Sequence, residues 1–309
     1  MHAAAFMQLG DNRRIFPTIT GCRVNTKTIK GLHQAYRDDI ADLTTRRPVP
    51  GPQLEQVDPF LFLNHHGPQT YAPGNRGLPF GPHPHRGFET VTFILEGELM
   101  HSDSAGHDSI IRAGGVQWMT AGSGLVHAEL SPPAFKRDGG PLEILQLWLN
   151  LPPRLKMTAP RYQGVQDEAI VKLATPDGLG TLHLVSGQYA GQKGPVESLT
   201  GVFMSWLVLR PGARFARDGL RGRNVFLYVV NGALALEGRT AAAFTLVELD
   251  LEGDALEFTA PDGAVVLFGH AEPIGEPVVA HGPFVMNTRE EINQAIRDYQ
   301  AGKFEPGKG

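Results

Sequence analysis

The chain has 309 residues, 41% of them hydrophobic, with a formal net charge of −4 and a pI near 6.3. It is too apolar for a disordered polymer, and its charge supplies no broad basic field to hold nucleic acid or an anionic membrane. The single Cys22 excludes an intramolecular disulfide and a cysteine-rich zinc site, which points to a reducing, cytoplasmic compartment.

Length is compatible with two domains of about 150 residues each. Glycine (37) and proline (24) together make nearly a fifth of the chain, so many short elements joined by turns are expected. Residues 1–19 read as an irregular tail. "MHAAAFMQLGDNRR" has no basic leader before its apolar run, so it reads poorly as a secretion signal, and no stretch reaches the 18 or so apolar residues of a membrane span.

"RRPVPGPQLEQVDPF" (46–60) is a loop with four prolines that ends at the apolar "FLFLN". In "ETVTFIL" (89–95), Val91, Phe93 and Leu95 share one face of a strand, and Thr90, Thr92 and Ile94 share the other. "DSAGHD" and "RAGG" are turns, and "VQWMT", "GLVHAEL" and "LEILQLWLNL" are strand-like runs that stop at Pro152 and Pro153. Short strands at this spacing predict a sandwich or barrel. The second half repeats the style, and "FILEGEL" (93–99) aligns with "YVVNGAL" (228–234), an indication of internal duplication. One helix is predicted near the end, with Thr288 and Glu291 as a capping box, Ile292, Ile296 and Tyr299 on one face, and Gly302 as its stop.

"GPHPHRGFETVTFILEGELM" (81–100) carries two histidines one residue apart. In an extended segment such residues point the same way, so His83 and His85 can share one ion. The spacing recurs in "GLVHAEL" as His127 and Glu129. Two such pairs on neighbouring strands make a site of three nitrogens and one carboxylate. Glu89 could replace Glu129 as the carboxylate ligand, or lie on the surface of its strand; position alone does not choose. His65 and His66 are candidates for outer hydrogen-bond partners of the ligands, His101 and His107 read as solvated turn residues, and Phe80, Phe93, Trp118 and Met119 as the lining of an aromatic pocket. "TAGSG" reads as a tight turn that brings His127 to a barrel mouth, because neither a helix nor a lysine follows as in a phosphate cradle.

"HPHRGFETVTFILEGE", "GGVQWMTAGSGLVHAEL", "LQLWLNLP" and "GPFVMNTREEINQAIRDYQAGKF" resemble the central and C-terminal motifs of the pirin family, two-domain members of the cupin superfamily. The resemblance spans most of residues 56–304. It implies an all-β fold of two cupin-type barrels with a short C-terminal helix: an N-terminal metal-binding barrel over 20–165, a second barrel without a metal set over 166–285, and the helix and tail over 286–309. It implies mononuclear iron(II) held by His83, His85, His127 and Glu129, with Glu89 as the fallback carboxylate. Manganese, copper, nickel, cobalt and a closed structural zinc are alternatives.

Two departures stand out. Gly122 occupies the position where the general cupin pattern has proline, and "LNHHGP" stands where the family has an aspartate-histidine-phenylalanine sequence. Superposing Gly97 on Gly232 aligns His83 with Asp218, His85 with Leu220 and Glu89 with Asn224, so the second barrel lacks the metal set.

The activity implied is that of a quercetin 2,3-dioxygenase, opening a flavonol with dioxygen and releasing carbon monoxide, with Glu129 and His127 as the catalytic residues. The alternative is an iron-dependent, redox-sensitive regulator acting through a protein partner, since no DNA-reading motif is present. A sugar isomerase would want lysine and arginine at the mouth, where the sequence offers Arg86. A monomer is expected, with no direct nucleic-acid or membrane contact.

Overall fold

The computed structural model describes residues 25–305, so the expected tail and Cys22 lie outside the described residues. The fold is all-β with two cupin barrels and a C-terminal helix. In the first barrel a seven-stranded sheet runs Arg161–Val165, Val116–Thr120, Phe88–Glu96, Gly140–Asn150, Phe60–Tyr71, Thr45–Val49 and Tyr36–Arg37. A four-stranded sheet, Phe80–His85, Leu125–Leu130, Glu98–Asp103 and Asp108–Arg112, closes over it. The second barrel is built on the order Ile29–Gln34, Thr245–Leu249, Asn224–Leu236, Ala264–Ala271, Phe203–Leu209, Gly180–Ser186 and Val171–Ala174.

Ile29–Gln34 falls within the stretch expected for the first barrel, yet it pairs antiparallel with Thr245–Leu249 of the second. Lys27 reinforces this attachment, its buried ammonium donating to the carbonyls of Asp250 (3.0 Å) and Leu251 (2.8 Å). The described residues therefore begin on the second barrel before the chain enters the first.

Both faces of the strands between the barrels are buried. Val91, Phe93, Trp118, Leu145 and Leu147 point outward from the first barrel and pack on Met204, Trp206, Phe226 and Tyr228 of the second. Phe60 meets Phe226 edge-to-face at 4.7 Å across this junction. Each such side chain contributes about 1.5–3 kcal/mol by leaving water. Phe93 and Trp118 thus belong to the inter-barrel core, and Met119 packs with Ala121, Leu125 and Tyr162; these three do not form the aromatic pocket expected from the sequence.

The turn glycines Gly97 and Gly232 have φ of 82° and 78°, the left-handed region that disfavours a side chain. A Cβ at Gly97 would also fall 2.6 Å from the Pro141 carbonyl. Gly122 has φ of 51°, a conformation that the fixed φ of proline cannot match.

The C-terminal helix spans Arg289–Gln300 with the Thr288–Glu291 capping box formed. Ile292 and Ala295 are buried on Phe284, Met286 and Phe304, with Ile296 packed against them. Tyr299 shares this face, its ring 6.4 Å from Phe284 and 5.7 Å from Phe304, while remaining 40% exposed.

Candidate metal centre

The Phe80–His85 and Leu125–Leu130 strands pair antiparallel, with His127 opposite His83 and Leu125 opposite His85. Their inward faces bring three imidazoles together: His83–His127 centroids are 4.4 Å apart, His83–His85 4.8 Å and His85–His127 4.9 Å. One donor atom from each lies within 4.8 Å of the others. His127 is buried, and neither ring nitrogen has a hydrogen-bond partner among the described residues.

The protonation pattern suits a cation. His83 Nδ1 faces the Gly81 carbonyl at 2.7 Å, and His85 Nδ1 faces the Pro283 carbonyl at 3.3 Å. A carbonyl can only accept, so both Nδ1 atoms carry protons, which leaves Nε2 of each ring as its candidate ligand atom. Burial, reinforced by the neighbouring His83, pushes His85 down to about 3, and burial holds His127 well below the usual histidine range. Three imidazoles converge, and the donor set fits a borderline divalent metal.

Glu129 lies two residues beyond His127 on the same strand face, with a register irregularity between them that sets it opposite Phe80. It is buried and accepts hydrogen bonds from Thr92 Oγ1 (3.2 Å), Gln117 Nε2 and Gln146 Nε2 (2.5 Å). It stands outside the three-histidine group. Glu89 occupies the opposite face of its strand, in alternation with Thr90 and Thr92, and accepts from Thr120 Oγ1 at 2.6 Å. That face is the one carrying Val91 and Phe93 into the inter-barrel core, so the fallback carboxylate points away from the histidines. Burial raises the Glu89 pKa.

Several expectations for the other histidines change. His65 bonds Tyr228 Oη (3.0 Å) of the second barrel and Glu143 (2.8 Å), while His66 bonds Thr45 Oγ1 (2.9 Å), so neither orients a ligand histidine. Those partners are the Gly81 and Pro283 carbonyls. His101 is fully buried rather than solvated: it bonds Asp103 at 3.0 Å and stacks on Tyr162 at 4.2 Å. Of these four histidines only His107 keeps substantial exposure, with 43% of its side chain accessible.

An aromatic wall starts beside His85. Trp148 lies 5.4 Å from His85 and 4.4 Å from Phe88, Phe62 stacks on Trp148 at 4.6 Å, and the Arg47 guanidinium covers Phe62 at 4.7 Å. The sequence contained a signal for these residues: Gln146 and Trp148 alternate with Leu145, Leu147 and Leu149, just as Gln117 alternates with Val116 and Trp118.

The outer side of the site is held by the C-terminal segment. Arg86 donates to the Ser123 carbonyl (2.7 Å) and Asp298 (2.8 Å), and its guanidinium covers Phe304 at 4.6 Å. Arg86 is thereby turned toward the helix. Buried Lys156 ties together the Gly87 and Val285 carbonyls and Asn150.

Comparison with known proteins now settles the family. Residues 42–149 match the Pirin family model, and residues 205–305 match that of the Pirin C-terminal cupin domain. The chain belongs to the pirin family. Human pirin is 37% identical over 264 residues, covering 84% of this chain and 87% of that protein. A pirin-like protein of Caulobacter vibrioides is 38% identical over 281 residues, covering 90% and 98%. The crystal structure of a quercetin 2,3-dioxygenase from Acinetobacter baumannii superposes with a TM-score of 0.85 at 33% identity, over 90% of this chain and 98% of that one.

Within this pirin fold, the second barrel's counterparts of the site diverge. Asp218 is exposed, Leu220 is buried in an apolar interior with Phe203, Phe215, Phe258 and Phe268, and Asn224 donates to the Asp58 carbonyl at 2.6 Å. The described residues include no helix long and apolar enough to cross a membrane.

Proposed function

We propose that this protein is a metal-dependent dioxygenase of the quercetin 2,3-dioxygenase type, using iron(II) held by His83, His85, His127 and Glu129. The observation that carries this reading is the cluster of three imidazoles beside a buried carboxylate and an aromatic wall. The structural likeness to the Acinetobacter enzyme supports the same substrate class, a planar flavonol with dioxygen.

Iron(II) bound there would supply Lewis-acid activation of the substrate hydroxyl and redox chemistry toward dioxygen. The protein's own contributions are positional. Glu129 takes the hydroxyl proton, and Gln117, Gln146 and Thr92 fix the carboxylate for that transfer. Trp148, Phe88 and Phe62 offer flat apolar surface against which an aromatic ring stacks and from which water is excluded. Overall, flavonol and dioxygen become a ring-opened ester and carbon monoxide.

Anaerobic loading with iron(II), then quercetin in air, tests the reading, with flavonol absorbance and carbon monoxide followed and manganese, nickel, cobalt, copper and zinc forms run alongside. Metal-dependent loss of quercetin with carbon monoxide release is expected. Stoichiometric metal without turnover would favour a redox-sensitive regulator working through a protein partner, and a protein that binds no metal would end both readings.

A further inference from the structure

The mouth of the second barrel repeats the geometry of the first with different chemistry. Thr90, seven residues before the turn Gly97, is paired with Trp148, and Trp148 is paired with Phe62. Val225, seven residues before Gly232, is paired with His270, and His270 is paired with Phe203. His270 and Phe203 are therefore the counterparts of Trp148 and Phe62. The stacking is retained: the Phe203 and His270 rings are 4.5 Å apart and 6° from parallel, against 4.6 Å and 26° for Phe62 and Trp148. A guanidinium lies by each ring pair, though from non-equivalent strands: Arg217 is 5.4 Å from the Phe203 centroid, and Arg47 is 4.7 Å from that of Phe62.

The chemistry around this frame is cationic. His270 is 4% exposed, and its Nδ1 accepts from Arg223 Nε at 2.7 Å. A neutral imidazole that accepts at Nδ1 carries its proton at Nε2, and that N–H has no partner among the described residues. Burial, with the charges of Arg223, Arg217 and Lys27, pushes His270 down to about 2, so the ring stays neutral at any ordinary pH. Arg217 is half-buried between Phe203 and Tyr189, and its buried Nε–H is likewise without a partner. Arg223 is committed elsewhere, to His270, the Gly201 carbonyl (3.1 Å) and exposed Glu272 (3.3 Å). Two buried donors thus lack acceptors in a region of net positive charge. Buried donors are nearly always satisfied, and an orphan calls for an acceptor.

We propose that the mouth of the second barrel binds a small carboxylate, received by Arg217 Nε–H and His270 Nε2–H. A carboxylate has the two acceptor oxygens and the negative charge that this pair lacks, and Phe203 and Tyr189 give its apolar end a surface. The Glu272 carboxylate is already engaged by Arg223. A cation is disfavoured here by the same charges that would draw an anion. Duplication would then have produced two sites of opposite preference, and this inference stands independently of the oxygenase reading.

The test is calorimetric titration of the full-length protein with sodium acetate and sodium benzoate, against sodium chloride at constant ionic strength. Saturable binding of one carboxylate per chain is expected, weakened about tenfold or more in Arg217→Met and in His270→Phe, with metal content unchanged. Arg217→Met preserves the packing between Phe203 and Tyr189, so it reports on the missing donor even if the core substitution at His270 misfolds. No saturable heat from either carboxylate, or equal binding in Arg217→Met, would overturn the proposal and leave water as the partner of both donors.

Discussion

His127 stands opposite His83 across two antiparallel strands, with their imidazole centroids 4.4 Å apart. Neither His127 nitrogen has a hydrogen-bond partner among the described residues, which leaves both free of structural hydrogen-bonding duty. His127→Ala is expected to abolish bound metal while leaving the far-ultraviolet circular dichroism of the apoprotein unchanged. Asp218→Ala, at the counterpart of His83 in the second barrel, is expected to retain full metal content by elemental analysis. Metal persisting in His127→Ala would rule out the proposed ligand set.

Gln117 and Gln146 both donate to Glu129, and Tyr162 Oη approaches Gln117 Oε1 at 3.4 Å. A carboxylate held from two sides is fixed in place, and removing one support should let it wander. Gln146→Ala is expected to cost about 10- to 100-fold in metal affinity or turnover, the usual range for partners of metal ligands. Glu89→Gln, on the opposite face of its strand, should leave metal affinity within about twofold, less than half the 1.4 kcal/mol that corresponds to a tenfold change. Competition with a metal-responsive dye measures both.

How much of this was legible in the chain depends on whether a residue's role is local. The paired histidines were readable because a two-residue period fixes the side-chain face wherever the strand lies. "ETVTFIL" likewise gave its two faces correctly, with Val91 and Phe93 together. Which face lines the barrel was not readable, since both are buried, and so Trp118 and Phe93 were expected around the pocket when they join the second barrel. Gln117 and Gln146 pass for solvent-facing polar positions until the barrel closes over them. The pairing of Ile29–Gln34 with Thr245–Leu249, and the Pro283 carbonyl against His85, join segments about 200 residues apart, beyond the reach of any local pattern.

The attachment of the C-terminal helix should loosen in acid. Lys303, at 2.8 Å, and then Arg86 hold the Asp298 carboxyl below its ordinary value. A carboxyl depressed in the folded state contributes stability that is fully present above its unfolded value and is lost as pH falls through the folded one. The helix should therefore be fully docked above about pH 4 and progressively less protected below it. Hydrogen exchange over Arg289–Gln300 checks this. Asp298→Asn should show increased exchange already at neutral pH and a flatter acid response; a response identical to that of the unmodified protein would place the acid sensitivity elsewhere.

The junction between barrels is itself a core, and Phe226 tests its strength. Its ring is 1% exposed and packs edge-to-face on Phe60 across the junction. Nearby, Tyr228 Oη reaches across to His65, so truncating Phe226 opens a cavity beside a buried hydrogen bond. Phe226→Ala should destabilise the protein by about 3–5 kcal/mol, the range for an aromatic removed from a packed interior. If the interface couples the barrels, chemical denaturation monitored by tryptophan fluorescence and by metal release should remain one coincident transition moved to lower denaturant. Two separated transitions, with metal release unshifted, would mean that each barrel stands alone. The first outcome is expected because Trp206 and Phe93, one from each barrel, share a single buried cluster.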